Sequence, residues 1–204
     1  MNHFFNLEEN KRFFNQWSKS YDCELFQFWM KKFQKPILEM DFSPATKILD
    51  VSCGTGEMLL ELSKNDNVVP KNLFGVDFSE QMLTTARKKL NSEIILLQAD
   101  VHALPFKDNC FDYVASTEAF HHYYDQEKAL SELMRVTKNG GKVIIIDVNF
   151  FLRPLHYLFQ RFEPGCVKMN SRKELRIIFE KTGLKEIKQE RIFLFAVMTV
   201  GEKQ

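Results

Sequence analysis

The sequence lacks the residue patterns of a metal-bound or disulfide-stapled framework, and neither sign of charge predominates. Four cysteines occur in 204 residues, and none of them forms a C-x-x-C pair, which argues against a zinc site and against a disulfide scaffold. The 28 basic residues balance 27 acidic ones, which leaves a formal charge of +1. No electrostatic footprint for nucleic acid is visible in such a chain. We therefore expect reduced thiols, no metal and no nucleic-acid partner.

Long apolar runs and targeting signals are also absent from the sequence. No run approaches the roughly 20 apolar residues of a membrane-spanning helix, and the N-terminus lacks the pattern of a signal peptide. These absences predict a cytoplasmic protein without a membrane span. With 45% hydrophobic residues, a chain of this length can bury one full core, so we expect a single domain over residues 1–204.

The most informative run in the chain is a strand, a glycine turn and a helix over residues 47–57. Gly54 and Gly56 permit backbone geometry and close approach that a Cβ would block. The helix from Glu57 points its first N–H groups towards whatever lies over the turn. Asp50, placed before the glycines, can meet a positively charged group of that ligand.

This run differs from the dinucleotide fingerprint G-x-G-x-x-G. The third glycine of that pattern would stand at position 59, which is a leucine, and Ser52 stands two residues before Gly54. The third glycine is what lets helix and strand pack closely in that fold. An NAD(P)-dependent oxidoreductase is therefore disfavoured, although it stays an alternative.

Acids also end the next two predicted strands. Asp77 closes the strand 73–77, about 20 residues past the glycines, where nucleoside-binding α/β folds bond the ribose hydroxyls. Ser79 is the better N-cap for the following helix, which leaves Asp77 for the ligand. Asp100 ends the strand 94–100. Carboxylates gathered at one sheet edge repel one another, so this edge is predicted to bind a ligand rich in hydrogen-bond donors.

These motifs resemble those of a known family. The run 47–57 resembles motif I of class I S-adenosylmethionine-dependent methyltransferases, D/E-x-G-x-G-x-G, with Ser52 in place of the first glycine. Residues 100–106 and 111–114 are similar to the branch that includes the ubiquinone- and menaquinone-biosynthesis enzymes. The resemblance implies a Rossmann-like fold with a seven-stranded, mostly parallel sheet, helices on both faces and an antiparallel C-terminal strand. It also implies S-adenosylmethionine as cofactor, with Asp100 at the adenine amino group and Val101 giving a backbone contact.

Within this family the chain divides into three predicted parts. Residues 1–40 form an aromatic helical cap, residues 45–148 the cofactor-binding core, and residues 149–204 a substrate-side insertion followed by a helix and strands. Phe78 and Met82 follow Asp77 and are candidates for packing on the adenine. The predicted cofactor-binding residues are Tyr21, Asp50, Ser52, Cys53, Gly54, Gly56, Asp77, Phe78, Met82, Asp100, Val101 and Thr117.

The catalytic residue is left open. His121 and His122 follow the fourth strand and are candidates for a general base, and Glu118 and Asp147 are weaker candidates of the same kind. The alternative is that one histidine packs in the core and the other is solvated. Methyl transfer needs no base when the sulfonium is already activated and alignment supplies much of the rate.

Twenty phenylalanines occur in the chain, and many lie in two segments outside the core motifs. Trp17 to Asp22 resembles the lead-in of the quinone-type enzymes, which folds over the cofactor as a lid. The second segment is 150–162. Aromatic linings suit an apolar or planar ligand, although plain core packing explains individual residues equally well and the second segment could contact a membrane surface.

The predicted function is methyl transfer from S-adenosylmethionine to a small molecule, with an aromatic or apolar acceptor favoured. Two alternatives stay open: the NAD(P)-dependent oxidoreductase and a non-catalytic S-adenosylmethionine-binding protein. The sequence indicates neither the acceptor atom nor the oligomeric state.

Overall fold

The computed structural model describes residues 12, 15–16, 24–150, 152–193 and 195–204. The predicted lid residues Trp17 and Tyr21 lie outside the described residues. The helices are α1 (Glu24–Leu38), α2 (Glu57–Leu62), α3 (Glu80–Lys89), α4 (Gln126–Val136), α5 (Arg153–Phe162) and α6 (Arg172–Thr182). The strands are β1 (Ile48–Val51), β2 (Leu73–Asp77), β3 (Ile95–Gln98), β4 (Phe111–Thr117), β5 (Thr137–Val148), β6 (Lys185–Phe193) and β7 (Ala196–Glu202).

The seven strands form one sheet in the order β3-β2-β1-β4-β5-β7-β6. Strands β1 to β5 pair in parallel, while β7 runs antiparallel to both of its neighbours, β5 and β6. The predicted fold is therefore confirmed. Because β1 to β4 are parallel, their carboxyl ends, and the acids that the sequence places there, lie along the same edge of the sheet.

Helices cover both faces of the sheet because the strands are apolar on both sides. Every residue of β1 is buried. On one face Leu49 and Val51 pack in a cluster with residues of α4 and α6. On the other face Ile48 packs with residues of α1, α2 and α3. Each fully buried aliphatic side chain of this kind stabilises the fold by about 1.5–3 kcal/mol.

The ends of the helices follow the capping signals in the sequence. The Ser79 side chain accepts a hydrogen bond from the Met82 amide and so caps α3. A reciprocal capping box between Ser171 and Glu174 begins α6, and Gly183, with φ 99°, ends it. These caps satisfy backbone groups that a helix end leaves without partners.

One helix boundary differs from what the sequence pattern predicts. The run from Asn139 to Gly141 predicts the end of the helix that contains Leu133, but α4 already ends at Val136 and β5 begins at Thr137. Thr137, the residue after the helix, has an extended backbone with ψ 140°, and its buried hydroxyl donates to the Leu133 carbonyl at 2.7 Å. The glycines instead accommodate an irregular part of β5, where the pairing with β4 shifts register and Gly140 has φ 77°.

No helix among the described residues combines the length and the apolar character that crossing a membrane requires.

Candidate active site

A cleft with about 900 Å³ of empty space, counting its open side, lies at the carboxyl edge of the parallel strands. The carboxyl ends of β1, β2 and β4 and the loop after β3 all contribute residues to this cleft. Ten of the candidate site residues predicted from the sequence line this cleft: Ser52, Gly54, Asp77, Phe78, Met82, Asp100, Val101, Thr117, Glu118 and His122.

The glycine-rich turn at the floor of the cleft uses left-handed backbone conformations. Ser52 has φ 61°, Gly54 φ 53° and Gly56 φ 80°. The Gly54 amide donates to Asp77 Oδ2 at 2.8 Å, and the Cys53 amide donates to the Val76 carbonyl at 2.9 Å. The turn after β1 is thus fastened to the end of β2.

Asp77 lies where the sequence places a ribose-binding acid, and it also holds the backbone. Its Oδ1 accepts the Ser79 amide at 2.8 Å while Oδ2 accepts Gly54. Each carboxylate oxygen keeps a further lone pair for a ligand hydroxyl. Burial raises the pKa of Asp77 to about 6, against the lowering effect of the amides that it accepts. Hydroxyl donors from a ligand would stabilise its charged form.

Ser52 takes the place of a glycine at a position with positive φ. Its hydroxyl lies 2.9 Å from the Tyr123 hydroxyl, which in turn lies 2.7 Å from the Ser116 hydroxyl. Burial raises the pKa of Tyr123, so its hydroxyl keeps its proton. Tyr123 was not assigned to the site from the sequence, because only the fold brings the turn after β4 against the turn after β1.

Asp100 lies in the cleft but is already engaged by neighbours. Its Oδ1 accepts the His102 amide at 2.9 Å and lies 2.6 Å from His102 Nδ1, while Oδ2 accepts the Tyr124 hydroxyl at 3.2 Å. The His102 and Tyr124 rings stack at 3.7 Å. Burial raises the pKa of Asp100, but the bonds from His102 outweigh it and leave that pKa below its usual value. The sequence motifs do not assign His102 or Tyr124 to the site. The position of His102 two residues after Asp100 is a signal in the sequence that could have identified it.

Asp50 and Cys53 lie in a smaller adjoining cavity, which shares Ser52 and Thr117 with the cleft. Asp50 is 3% exposed, and burial, followed by the charge of Asp77, raises its pKa well above the usual value. The Gln34 side chain lines the same cavity, and its Oε1 atom is buried and accepts no hydrogen bond from any described residue. An acid and an amide oxygen together suit a cationic donor group of a ligand.

Two predicted residues have packing reasons for their identity. Gly56 is the N-cap of α2. A Cβ on Gly56 would lie 2.7 Å from Cδ1 of Leu90, the residue directly after α3. The Cys53 sulfur would lie 2.9 Å from a Cβ on Gly75, so it fills the core beneath the turn. Their roles as direct ligand contacts stay predictions.

The N-terminal part of the chain reaches this site at one described position. Ser79 Oγ donates to Asn15 Oδ1 at 2.6 Å, and Ser79 lines the cleft. The predicted contact of Tyr21 lies outside the described residues.

The two histidines after β4 have different surroundings. His122 lines the cleft, whereas His121 is 2% exposed and its Nδ1 lies 2.5 Å from Asp147 Oδ1. Burial lowers the pKa of His122 to about 3, with the neighbouring His121 charge acting in the same direction. Burial also lowers the pKa of His121, but the charge of Asp147 outweighs it and raises the value to about 9.

Glu118, at the end of β4, is a weaker candidate in the sequence and also lines the cleft. It has φ 55°, an uncommon conformation for a residue with a side chain. Its Oε1 is buried without a hydrogen-bond partner. Burial and the charge of Asp147 raise the pKa of Glu118 well above its usual value.

The strand order and the cleft define an α/β protein of the Rossmann-like class, in which an acid, Asp77, ends β2 at the cleft. Residues 49–145 match the family model described as a methyltransferase domain. The chain is 36% identical over 153 residues to the demethylmenaquinone methyltransferases of Staphylococcus aureus strains JH9 and Newman, which is 71% of this chain and 62% of each relative. The chain thus spans about three fifths of the length of these curated relatives.

Solved structures agree on the fold. A chain in the complex between a Haloferax volcanii methyltransferase activator and a methyltransferase superposes with a TM-score of 0.81, at 23% identity, covering 93% of this chain and 96% of that one. Haemonchus contortus phosphoethanolamine N-methyltransferase 2, in complex with S-adenosyl-L-methionine, superposes with a TM-score of 0.69 at 17% identity, covering 93% and 60%. The matched methyltransferase domain and the curated relatives support the predicted family, the class I S-adenosylmethionine-dependent methyltransferases, and its cofactor S-adenosylmethionine. None of these comparisons supports the oxidoreductase.

Proposed function

We propose that the protein transfers the methyl group of S-adenosylmethionine to a small apolar acceptor with a planar ring, of the quinol kind that the names of its Staphylococcus aureus relatives indicate. The observation that carries this proposal is the Asp77 carboxylate, which the amides of Gly54 and Ser79 hold at the floor of the cleft. Such an acid at the end of the second strand is the ribose-binding element of nucleoside-binding α/β folds.

The residues present fit this cofactor. Asp77 offers lone pairs to ribose hydroxyls, and Phe78 and Met82 offer an apolar surface to a base beside it. Asp50 and the orphaned Gln34 Oε1 offer acceptors to a cationic amino group. When bound, S-adenosylmethionine supplies a methyl group that its sulfonium already activates.

The task of the chain is then to align the two partners and to exclude water. An acceptor would enter the cleft beside Glu118 and His122, which follow β4 and line the cleft. No protein nucleophile is required for this chemistry. A role for His121 or His122 as a general base stays a prediction.

The apolar character of the acceptor is inferred from α5. Its inner side contacts the site region, since the Phe159 ring lies 6.4 Å from the His121 ring and 5.3 Å from the Phe150 ring. Its outer side and the preceding residue expose large apolar side chains, namely Leu152, Leu155, Tyr157, Leu158 and Phe162. Exposed apolar patches of this kind mark binding surfaces.

Calorimetric titration with S-adenosylhomocysteine and with NAD tests the cofactor half of the proposal. S-adenosylhomocysteine should bind with one equivalent per chain and NAD should not. Asp77→Ala should weaken S-adenosylhomocysteine binding by about 1.5–3 kcal/mol, the loss expected for hydrogen bonds to a charged group. Asp112→Ala is the matched control, because Asp112 also accepts a backbone amide, from Lys47 at 2.8 Å, but lies at the opposite end of β4.

Mass spectrometry of products tests the acceptor half. A demethylmenaquinone with a short side chain should gain one methyl group, and faster than a simple phenol or an amine. Tight binding of S-adenosylhomocysteine without turnover on any acceptor would favour the non-catalytic binding protein. Preferred binding of NAD would overturn the proposal.

A further inference from the structure

A cluster of histidine and carboxylate side chains lies beside the cleft, and the methyl-transfer proposal does not use it. His121, His122 and Glu163 each bring one ligand atom to within 4.8 Å of the other two; we call these three residues the His–His–Glu cluster. The histidines lie in the short turn Phe120–His122 after β4, and Glu163 is the residue after α5.

The backbone holds these two parts of the chain together. The amides of Val167 and Lys168 both donate to the His121 carbonyl, at 2.9 and 3.1 Å. The ring of His122 forms a hydrogen bond with the backbone of Gly165. The loop that follows Glu163 is therefore hydrogen-bonded directly to the histidine turn. These bonds hold the two segments that supply the cluster in a defined relative position.

The ring of His121 is oriented as a metal ligand requires. Its Nδ1 is paired with Asp147 Oδ1 at 2.5 Å, while its Nε2 is buried and has no hydrogen-bond partner among the residues that the structure describes. With the Nδ1 proton donated to Asp147, a metal ion can displace the Nε2 proton of the His121 imidazolium and bind the lone pair left there. Metal-binding histidines nearly always donate their second ring N–H to such a carboxylate or to a carbonyl, which fixes the tautomer and the ring orientation.

Carboxylates lie around the cluster. Asp147 Oδ1 contacts the His121 ring, and Glu118 lines the same cleft as His122. Among the residues that the structure describes, no lysine or arginine forms an ion pair with Glu118, Asp147 or Glu163. A divalent ion on the cluster would add positive charge beside these carboxylates.

We propose that His121, His122 and Glu163 bind a divalent transition-metal ion, with Zn²⁺ as the representative, and that Asp147 positions the His121 ring for it. Two imidazoles and one carboxylate form a common protein donor set for zinc, and such three-residue sites leave a position open for water or a substrate. His122 lines the cleft, so an ion on this cluster would border the space proposed for the acceptor. The binding of the ion does not depend on the proposed methyl transfer.

The sequence predicts no metal site because none of its cysteines has a spacing suited to zinc. The ligands here are two adjacent histidines and a glutamate 41 residues after the second of them, a separation that no local motif encodes. Only the packing of the segment after α5 on the turn after β4 brings them together.

Calorimetric titration of the chelator-treated full chain with Zn²⁺ alone tests the site. One equivalent of Zn²⁺ should bind per chain and raise the thermal unfolding temperature. Glu163→Gln should weaken Zn²⁺ binding by about tenfold or more, since losses of that order follow even from changes around the ligands. Glu163 is partly exposed, so this variant should fold. His156→Asn, on α5 but outside the cluster, is the matched control and should bind like the wild type.

A second measurement covers the histidines. Co²⁺ bound to the wild-type chain should give visible absorption of a low-coordinate site, which added Zn²⁺ abolishes, and His121→Asn should lose that spectrum. If the wild type binds no stoichiometric Zn²⁺, or if Glu163→Gln and His121→Asn bind it like the wild type, the metal site is overturned. The His121–Asp147 pair would then be an ordinary buried polar contact.

Discussion

The Ser52 hydroxyl lies 2.9 Å from the Tyr123 hydroxyl, and this contact joins the turn after β1 to the turn after β4. Ser52 occupies a position with φ 61°, where a glycine costs nothing and a residue with a Cβ is strained. The hydrogen bond to Tyr123 offsets part of this strain. The departure from the family motif is thus matched by a partner on the other side of the cleft.

Ser52→Gly should change the free energy of unfolding by no more than about 1 kcal/mol, because relief of the left-handed strain opposes the loss of one hydrogen bond and the greater freedom of glycine. Affinity for S-adenosylhomocysteine should stay within a fewfold of the wild type. Denaturant unfolding and calorimetry measure the two quantities. Tyr123→Phe in the Ser52→Gly background separates the bond to Ser52 from the bond to Ser116. A large loss of cofactor affinity from Ser52→Gly alone would show that the Ser52 hydroxyl contacts the ligand.

Gly56 and Gly140 have nearly equal φ angles but different surroundings. Comparing alanine substitutions at the two positions therefore distinguishes the cost of backbone strain from the cost of a steric clash. Gly140 has φ 77° and no atom within 4 Å of the place that a Cβ would take, whereas Gly56 has φ 80° and Leu90 Cδ1 only 2.7 Å from that place. Gly140→Ala should therefore cost about 1 kcal/mol of stability, the cost of the left-handed conformation alone. Gly56→Ala should cost about 1–3 kcal/mol more, since α2 and α3 must move apart. Equal losses in urea unfolding would mean that Leu90 rotates away and that the packing reason for Gly56 is wrong.

The part of the site that the sequence predicted is the part that local motifs encode. Gly54 and Asp77 lie at strand ends with recognisable spacing, and the parallel sheet brings them into hydrogen-bond contact. Tyr123 and Glu163 could not be found in this way, because their positions depend on how the turn after β4 and the segment after α5 pack. The end of α4 at Val136 was missed for a similar reason, since Thr137 already pairs with Phe111 of β4 in the sheet.

Binding of S-adenosylhomocysteine should depend on pH through Asp77. Its pKa in the ligand-free chain is about 6, and only the ionised carboxylate can accept hydroxyl donors at both oxygens while it holds the two amides. Below pH 6 the protonated fraction grows, so the affinity should fall with falling pH, by at most about tenfold per pH unit for one proton. Calorimetry from pH 5 to 8 measures this slope.

The same shift has the opposite sign for stability. The folded chain holds the Asp77 proton more tightly than the unfolded chain, so this residue makes the free energy of unfolding fall as the pH rises from about 4 to about 6. Asp77→Asn removes the contribution of Asp77 to both curves, and what pH dependence is left belongs to Asp50 and other groups. An affinity that is flat across pH 5 to 7 in the wild type would contradict a contact between ligand and Asp77.

The outer side of α5 offers a test of acceptor specificity. Leu158 and Phe162 are 55% and 71% exposed, so replacing both by serine should leave stability and S-adenosylhomocysteine affinity nearly unchanged. If this side receives an apolar acceptor, the loss of about 1–2 kcal/mol of apolar contact should lower kcat/KM by about fivefold to thirtyfold, chiefly through KM. Ile177→Ser, at an exposed position of α6, is the control and should leave kcat/KM unchanged.

A loss seen only with acceptor embedded in vesicles, and not with a short-chain acceptor in solution, would assign this side of α5 to a membrane surface. Unchanged kinetics in both assays would remove α5 from acceptor binding altogether.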